Sequence, residues 1–358
     1  MTTLPGPNVL LRSGVGALRY RLTGHRMPLA VQILLTHRCD AFCRTCSVPL
    51  QHRVELDTRA WITILDDLAR LGTVRVTFSG GEPLIREDLP ALVERCTAHG
   101  ISTTLDTNGY RYPARADSLL GLGRVMIGLE GREEAHDAIR EPGAFRRAQD
   151  AIAAARSRGI EVWTVTTLTR LNLDDIDWIL REAERTGAKA VFQLLQPDSP
   201  QVPRSAAGLI PPPEDARRAL RTLLEARLAG RPVGVSEKLL RYLLTWEDYD
   251  HSTTRAPHED VHCVAGQLHC TIEADGSVFP CSLLAGRYPA RNAATAGFAS
   301  AFEALRDNEC RACTSTPLTE YNFLYNLNAA ALYERLRASA SPTRSNSSAS
   351  STRSKGDA

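Results

Sequence analysis

Lysine is almost absent from this sequence of 358 residues, in which only Lys189, Lys238 and Lys355 accompany 40 arginines. Acidic residues nearly balance the basic ones, and the formal net charge is only +2. Proteins that bind nucleic acid through its phosphates usually carry a strongly basic face, so this balance argues against a nucleic-acid partner. The scarcity of lysine beside abundant alanine is typical of GC-rich codon usage and indicates no function.

Long apolar runs are also missing. No segment approaches the roughly 18 uncharged apolar residues of a membrane span, and the N-terminal residues lack the uninterrupted apolar core of a secretion signal. We therefore expect no membrane association and a cytoplasmic location. In the reducing cytoplasm, clustered cysteines are more often metal ligands or catalytic groups than disulfides.

Short β-rich runs alternate with amphipathic helical patterns between residues 30 and 197. Near-continuous apolar strands separated by helices predict a parallel sheet covered by helices. A helix over 214–229 is expected to complete this unit. Periodicity alone leaves open whether the sheet closes fully, forms a partial barrel or winds doubly. The predicted strands are 31–35, 74–78, 101–105, 124–129, 162–165 and 190–195.

The C-terminal part of the chain has a different character. The segment CTIEADGSVFPC, residues 270–281, predicts two strands around an Ala-Asp-Gly turn, and a helix is expected over about 319–337. The last twenty residues contain eight serines, and we expect them to be disordered. The predicted boundaries are an N-terminal extension (1–29), the βα unit (30–230), a linker with a cysteine-rich domain (231–338) and a tail (339–358).

Three cysteines, Cys39, Cys43 and Cys46, lie just past the first predicted strand. Ligands of parallel α/β folds bind at this carboxyl edge of the sheet. The C-x3-C-x2-C spacing supplies three thiolates, one fewer than a closed zinc site or an ordinary [4Fe–4S] cluster requires. The spacing therefore indicates either zinc with a distant fourth ligand or an iron–sulfur cluster with one iron open to another molecule.

The sequence SGGEP, residues 79–83, follows the second predicted strand directly. Gly80 and Gly81 would allow a ligand to approach the backbone closely, with amides free to bind it. Glu82 adds a carboxylate beside them. Alone, this turn predicts no more than a tight strand-to-helix connection, but together with the cysteine triplet it indicates a cofactor site.

These motifs resemble those of radical S-adenosylmethionine (SAM) enzymes. The resemblance implies an α/β fold, a partial (β/α)6 TIM-like barrel with a small C-terminal cysteine-rich α+β extension, and a [4Fe–4S] cluster held by Cys39, Cys43 and Cys46. It further implies that SAM chelates the open iron through its amino and carboxylate groups. Reductive cleavage of SAM would give methionine and a 5′-deoxyadenosyl radical that abstracts hydrogen from the substrate. The expected electron donor is a flavodoxin- or ferredoxin-type protein.

The resemblance also suggests residues of the SAM pocket. By this resemblance, residues 80–82 contact the methionine end of SAM. Asn108, after the third strand, and Glu130, after the fourth, resemble residues that line the pocket. Arg140 is expected to pair with the SAM carboxylate through charge-assisted hydrogen bonds.

Two positions depart from the pattern of the family. Thr45 stands where an aromatic residue often precedes the third cysteine. The segment 128–131 reads Gly-Leu-Glu-Gly where many relatives have Ser-Leu-Asp-Gly. We therefore expect the contact to the ribose of SAM to be made differently in this chain.

A second cysteine group consists of Cys263, Cys281, Cys310 and Cys313. Four thiolates make a complete [4Fe–4S] set or a zinc site. Their spacing resembles the twitch extension of certain radical SAM dehydrogenases, and also the first half of the seven-cysteine SPASM domain. No cysteine follows Cys313, so we expect a single auxiliary [4Fe–4S] cluster, with structural zinc as the alternative.

Two cysteines belong to neither group. Cys96 is expected to be an ordinary half-buried thiol on a helix. Cys270, in the first strand of the C-terminal hairpin, has two interpretations. The first is a small packed residue. The second is a functional thiol, which either returns a hydrogen atom to a carbon radical through its weak S–H bond or serves as an alternative cluster ligand.

The auxiliary cluster favours dehydrogenation, in which it accepts an electron from the substrate radical, as in aminocyclitol dehydrogenases. Epimerisation through Cys270, and decarboxylation or elimination, are the alternatives. Only 29 residues precede the barrel, too few for the peptide-recognition domain that peptide-modifying relatives usually carry. The expected substrate is therefore a small sugar-, aminocyclitol- or nucleoside-like molecule of antibiotic-type metabolism, with ribosomal peptide maturation as the alternative. A non-catalytic iron–sulfur scaffold is disfavoured by the intact motifs.

Overall fold

A computed structural model describes residues 7–51, 53–256, 258–259, 261–305 and 309–329. Six parallel strands stand side by side in the order of the sequence. A doubly wound sheet would reverse its strand order at one point, whereas this order is that of a sheet that curls in one direction towards a barrel. All six predicted strands are confirmed: β1 (Ala30–Leu34), β2 (Arg75–Ser79), β3 (Ser102–Thr107), β4 (Arg124–Gly128), β5 (Glu161–Leu168) and β6 (Lys189–Leu194).

Helices cover the outer face of these strands and connect them. Helix α2 begins at Thr58 because the carboxylate of Asp57 accepts a hydrogen bond from the Ala60 amide, which caps the helix. The described helices are α1 (Pro7–Thr23), α2 (Thr58–Arg70), α3 (Leu89–Ala98), α4 (Tyr112–Arg115), α5 (Glu133–Ile139), α6 (Ala144–Ser157), α7 (Ile176–Thr186), α8 (Pro213–Leu228), α9 (Glu237–Leu244), α10 (Ala293–Ala296), α11 (Phe298–Glu303) and α12 (Thr316–Tyr325).

The C-terminal hairpin belongs to the same sheet as the barrel strands. Strand β8 (His269–Ile272) pairs in parallel with β1, with His269 opposite Ala30. Strands β9 (Ser277–Phe279) and β10 (Arg291–Asn292) continue the sheet in antiparallel fashion. The predicted hairpin is therefore confirmed, and it extends the barrel sheet beyond β1. A separate two-stranded ladder joins β7 (Thr253–Thr254) to β11 (Ala312–Cys313).

The core lies between the sheet and its covering helices. Trp61 of α2, Phe78 of β2 and Leu105 of β3 are fully buried in the largest apolar cluster. A second cluster joins β6 to α7, α8 and α9. Cys96 is fully buried in the first cluster, not half-buried as predicted, because α3 turns it towards the sheet together with Leu92 and Val93.

The predicted C-terminal helix is observed as α12 over Thr316–Tyr325. The part of the prediction from residue 330 onwards, and the predicted tail 339–358, lie outside the described residues. Among the described helices, none has both the length and the apolar character needed to cross a membrane.

Candidate functional site

The cysteine triplet lies in the loop between β1 and α2. Cys39, Cys43 and Cys46 are partly exposed and line one open cavity of 1390 Å³. A tight turn brings the last two together, since the Cys46 amide donates to the Cys43 carbonyl at 3.1 Å. Burial raises the pKa of Cys39 to about 12 and that of Cys43 to about 11, because a bare thiolate loses its hydration. Coordination to a metal cation reverses that balance.

The Gly-Gly-Glu turn after β2 packs directly on the backbone that leads into the cysteine loop. A Cβ at Gly80 would lie 2.3 Å from the Thr36 carbonyl oxygen, and one at Gly81 would lie 2.2 Å from that of Arg38. The Gly81 amide donates to Thr36 at 2.7 Å, and the Glu82 amide donates to Arg38 at 2.8 Å. The prediction of free amides is therefore wrong for Gly81 and Glu82, whose N–H groups fix the start of the cysteine loop.

Glu82 is fully buried behind the wall of the cavity. Its carboxylate accepts hydrogen bonds from the amides of Leu84 and Asn108, at 2.9 and 2.8 Å, and from the Thr107 hydroxyl at 2.8 Å. Burial raises its pKa to about 7 although these donors oppose the shift. Glu82 thus ties the turn after β2 to the turn after β3, and its contact with SAM stays a prediction.

Asn108 connects the turn after β3 to the cysteine loop. Its side-chain amide lies 3.8 Å from the Cys39 sulfur and donates to Asp40 at 2.8 Å. Asp40 in turn accepts from Arg111 at 2.6 Å. The structure therefore places Asn108 beside the first cysteine, and its contact with SAM stays a prediction.

Arg140 and Glu130, in the connection that follows β4, form a largely buried ion pair at 2.9 Å. The second carboxylate oxygen of Glu130 accepts from the Thr167 amide at 2.8 Å. Arg140 lowers the pKa of Cys43, in opposition to burial. Both predicted SAM-pocket residues therefore line the cavity, and Glu130 already neutralises the charge of Arg140.

The end of helix α5 holds the cysteine loop from this second side. The Arg44 amide donates to the Ile139 carbonyl at 2.9 Å, and the Arg44 guanidinium donates to the Ala138 carbonyl at 3.2 Å. Since the Gly-Gly-Glu turn fixes the start of the loop, two different strand connections position the three thiols.

The second cysteine group also comes together. Cys263, Cys281 and Cys313 pack in one small apolar cluster, and the Cys263 and Cys310 thiols lie within hydrogen-bond reach of each other. The β7–β11 ladder positions Cys313 opposite Thr253. Burial raises the pKa of the Cys281 and Cys313 thiols, and the neighbouring Cys263 adds to the effect. Four neighbouring thiols, two of them buried and two partly exposed, fit a metal centre, because binding replaces the hydration that the sulfurs have lost.

Neither group converges on a single point. Among the described residues, no three His, Cys, Asp or Glu side chains are placed to hold one metal ion. A [4Fe–4S] cube is bound by each cysteine at a separate iron, so its ligands are distributed around a volume. No disulfide involves any of the nine cysteines, all of which are described.

Cys270 lies in strand β8, opposite Val31 of β1. It is 2% exposed and belongs to the largest apolar cluster. Burial raises the pKa of its thiol. Cys270 also borders the cavity that the cysteine triplet lines, so both interpretations, a small packed residue and a catalytic thiol, stay predictions.

The C-terminal hairpin docks on the cysteine loop through a buried ion pair. His37 Nε2 lies 2.7 Å from the Glu273 carboxylate, and both side chains are at most 5% exposed. Arg53 pairs with Asp275 at 2.9 Å at the edge of the same contact. Sequence reasoning missed this contact because the paired residues are more than 200 positions apart, and nothing in the local patterns links them.

The far end of the cavity is built from charged and aromatic residues at the amino ends of the strands. Arg124 pairs with Glu161 at 2.7 Å and its guanidinium carbon lies 3.8 Å from the centre of the Trp163 ring. The indole N–H donates to Glu161 at 2.9 Å. The barrel interior thus combines a few charged and polar groups with a larger apolar lining, as ligand-binding sites usually do.

The sheet is parallel and curls towards a barrel, and three cysteines follow its first strand in a loop that the Gly-Gly-Glu turn fixes. This arrangement is typical of proteins that bind an iron–sulfur cluster at the mouth of a barrel. The sequence profile of the radical SAM superfamily matches residues 33–183. The PqqA peptide cyclase of Ruegeria pomeroyi is 31% identical over 268 residues, which cover 71% of this chain and 67% of that protein. The chain belongs to the radical SAM superfamily, whose members use a [4Fe–4S] cluster and SAM.

Solved structures share the fold. Streptococcus suis SuiB bound to its precursor peptide SuiA superposes with a TM-score of 0.62 at 15% identity, covering 81% of this chain and 67% of SuiB. The enzyme anSMEcpe with bound AdoMet superposes with a TM-score of 0.63 at 16% identity, covering 87% of this chain and 100% of that protein. The predicted partial barrel with a C-terminal extension is therefore confirmed.

Proposed function

We propose that this chain is a radical SAM enzyme that modifies a peptide, and that it forms a bond between two carbon or heteroatom positions of that peptide. The similarity to PqqA peptide cyclase, at 31% identity over 71% of the chain, carries the proposal. SuiB, whose fold the chain shares, was solved with a precursor peptide. These relatives favour the alternative of ribosomal peptide maturation over dehydrogenation of a small sugar-like substrate.

The size of the cavity supports a peptide substrate. Its 1390 Å³ would hold the cluster and SAM as well as the substrate, and they exceed the roughly 300–1,000 Å³ of a typical site for one small molecule. It extends from the cysteine loop to the amino ends of the strands and is open to solvent. A segment of peptide chain could enter beside SAM without displacing it.

In this proposal Cys39, Cys43 and Cys46 hold the cluster that binds SAM. With the cluster and SAM bound, these three thiols would hold the centre that supplies reductive cleavage of SAM and hydrogen abstraction from the peptide. The protein contributes the position of the thiols, which the Gly81 and Glu82 amides fix from one side. The Arg140–Glu130 pair after β4 lines the same cavity and would offer a donor and an acceptor to the carboxylate and ammonium of SAM.

The second cysteine group is proposed to hold an auxiliary [4Fe–4S] cluster. Joining two positions of a peptide removes two hydrogens, the first as an atom and the second as a proton with an electron. An auxiliary cluster of suitable potential would accept that electron. Its ligands would be Cys263, Cys281, Cys310 and Cys313, whose thiols already neighbour one another.

The proposal is tested with the anaerobically reconstituted full chain, SAM and dithionite. The candidate substrate is the peptide encoded by the small open reading frame nearest its gene. We expect 5′-deoxyadenosine to accumulate, and the peptide to lose the mass of two hydrogen atoms. A peptide deuterated at the reacting carbon should transfer its label into 5′-deoxyadenosine.

A panel of sugars, aminocyclitols and nucleosides is the matched comparison. Oxidation of one of these compounds, with no change in the peptide, would contradict the proposal and restore the small-molecule hypothesis. The variant with Cys39, Cys43 and Cys46 replaced by alanine is the negative control, and it should release no 5′-deoxyadenosine in either assay.

A further inference from the structure

Among the described residues, five carboxylates line the cavity, and four of them are hydrogen-bonded or ion-paired to other residues. Glu130, Glu161 and Glu184 pair with arginines at 2.9, 2.7 and 2.7 Å, and Glu320 accepts from the Ser236 amide at 2.6 Å. Asp106 differs from all of them. Its Oδ1 atom is buried and has no hydrogen-bond partner within the described part of the chain.

Asp106 faces the interior of the barrel. It is the penultimate residue of β3, and its neighbour Leu105 points the other way into the apolar core. Asp106 lies opposite Met126 of β4, which lies opposite Trp163 of β5, and all three line the cavity. The Asp106 side chain is partly exposed in this lining, whereas its Oδ1 atom is itself shielded from solvent.

We propose that Asp106 is a substrate-binding residue whose carboxylate accepts a hydrogen bond from an N–H or O–H group of the peptide. The inference rests on the proposed function, and it adds a contact that positions the peptide below the cofactor. It also makes Asp106 a determinant of specificity, because a substrate without a donor at this point would leave the buried oxygen unpaired.

The position of Asp106 favours the substrate over SAM as the donor. The predicted SAM contacts Gly80, Asn108 and Glu130 all follow the ends of their strands. Asp106 lies within β3, one interior position deeper than the turn that contains Asn108. A cofactor held at the cysteine loop occupies the mouth of the barrel, so the deeper level remains for the substrate.

An unpaired buried oxygen is unfavourable for the folded protein. A buried acceptor without a partner loses its hydration and gains nothing in return. Burial also raises the pKa of Asp106 to about 7, although Ser79 and the charge of Arg124 oppose the shift. Residues that bind ligands often reduce stability in this way, whereas structural polar residues increase it.

The proposal is tested with Asp106→Asn in the reconstituted full chain, and Glu184→Gln serves as the matched carboxylate-to-amide control. Three quantities are measured: 5′-deoxyadenosine released without substrate, kcat/KM for the peptide that the wild type modifies, and the midpoint of thermal unfolding at pH 8. For Asp106→Asn we expect release without substrate within about twofold of wild type. We also expect kcat/KM to be about tenfold lower, chiefly through KM, since the neutral amide oxygen of asparagine accepts a weaker hydrogen bond than a carboxylate does.

The unfolding midpoint separates a binding role from a structural one without any substrate. We expect the unfolding midpoint of Asp106→Asn to equal that of the wild type or to exceed it by up to about 2 °C. A lower midpoint, or an equal loss of substrate-free release, would overturn the proposal and assign Asp106 to the fold or to the SAM pocket. If the wild type modifies no peptide, the proposed function fails, while the midpoint and the substrate-free release still decide the role of Asp106.

Discussion

The guanidinium group of Arg140 occupies the space in which a side chain at Gly128 would begin. A Cβ added to Gly128 would lie 1.7 Å from Arg140 Nη2, and the same Nη2 donates to Glu130 at 2.9 Å. The two departures from the Ser-Leu-Asp-Gly pattern are therefore linked in space. Glycine in place of serine makes room for the arginine, and glutamate in place of aspartate has the length to reach it.

Replacing Gly128 by alanine should displace Arg140 and lower the free energy of unfolding by about 2 kcal/mol, as expected for overpacking of a filled site. Urea unfolding measures the loss. Gly208→Ala is the control, because nothing lies within 4 Å of a Cβ at that exposed position. In an Arg140→Met background the cost of Gly128→Ala should shrink; an unchanged cost would show that the clash does not involve Arg140.

Gly81→Ala should impair the first cluster specifically. The added Cβ would meet the backbone oxygens of Arg38 and His37 at 2.2 and 2.6 Å, which cannot rotate away. We expect the cysteine loop to shift, and 5′-deoxyadenosine release to fall at least tenfold while the far-ultraviolet circular dichroism stays native. Iron analysis gives the second readout, with Gly208→Ala again as the control. Full iron content and full release in Gly81→Ala would contradict this role of the turn.

Metal analysis of the two cysteine groups should give additive results. We expect about eight iron atoms per chain in the wild type and about four after alanine replacement of either Cys39, Cys43 and Cys46 or Cys263, Cys281, Cys310 and Cys313. Cys270→Ser should retain all of them because Cys270 lies in the apolar core. Four irons with one zinc in the wild type would assign the second group to structural zinc.

Two ion pairs at the contact between the hairpin and the cysteine loop should differ sharply in their effect on stability. Glu273→Ala leaves His37 buried without its partner, and should lower the free energy of unfolding by about 3–5 kcal/mol. Asp275→Ala removes a pair with Arg53 whose members are about one-quarter exposed, and should cost less than about 1 kcal/mol. Equal losses in urea unfolding would mean that the buried pair does not anchor the hairpin.

Asp66 should make the protein sensitive to acid. Hydrogen bonds from Arg95, at 2.6 and 2.7 Å, and from His99 lower its pKa from 3.8 to about 2. A depressed carboxyl pKa contributes stability above the unfolded value, and that contribution is lost as the pH falls from about 4 towards 2. Because Asp66 is partly exposed, its contribution to the free energy of unfolding is about 1 kcal/mol.

Unfolding measured between pH 2 and pH 6 tests this expectation. The difference in stability between wild type and Asp66→Asn should be largest near pH 6 and should vanish near pH 2. Asp117→Asn, which removes a much more exposed partner of Arg158, should show a weaker dependence on pH. A wild-type advantage that persists at pH 2 would exclude the carboxylate as its source.

The elements of the barrel could be predicted from the sequence because each depends on local patterns. Buried parallel strands carry continuous apolar runs, and glycines such as Gly187, whose φ of 68° is left-handed, end the helices between them. The cysteine spacing and the Gly-Gly-Glu turn are equally local. The grouping of Cys39, Cys43, Cys46, Asn108, Glu130 and Arg140 around one cavity followed from the known edge of a parallel sheet.

Features that depend on long-range pairing could not be predicted. Nothing in the sequence around His37 points to Glu273, and no local pattern shows that β8 pairs with β1. The role of Gly81 was misjudged for the same reason, because the partner that occupies its amide belongs to another strand connection. Asp106 could have been found from the sequence, because it is the single acidic residue in the β-rich run that ends in Thr-Asn-Gly. The alternation of side chains along β3 would have placed it inside the barrel.

The parallel contact of β8 with β1 makes the strand that leads into Cys39 an internal member of the sheet. A shortened protein that stopped before the hairpin would turn that strand into a margin with unmatched backbone groups, open to association with other chains. The hairpin of the cysteine-rich extension is therefore a structural part of the barrel sheet. Truncated or chimeric versions of this protein should keep residues 269–292 together with the barrel.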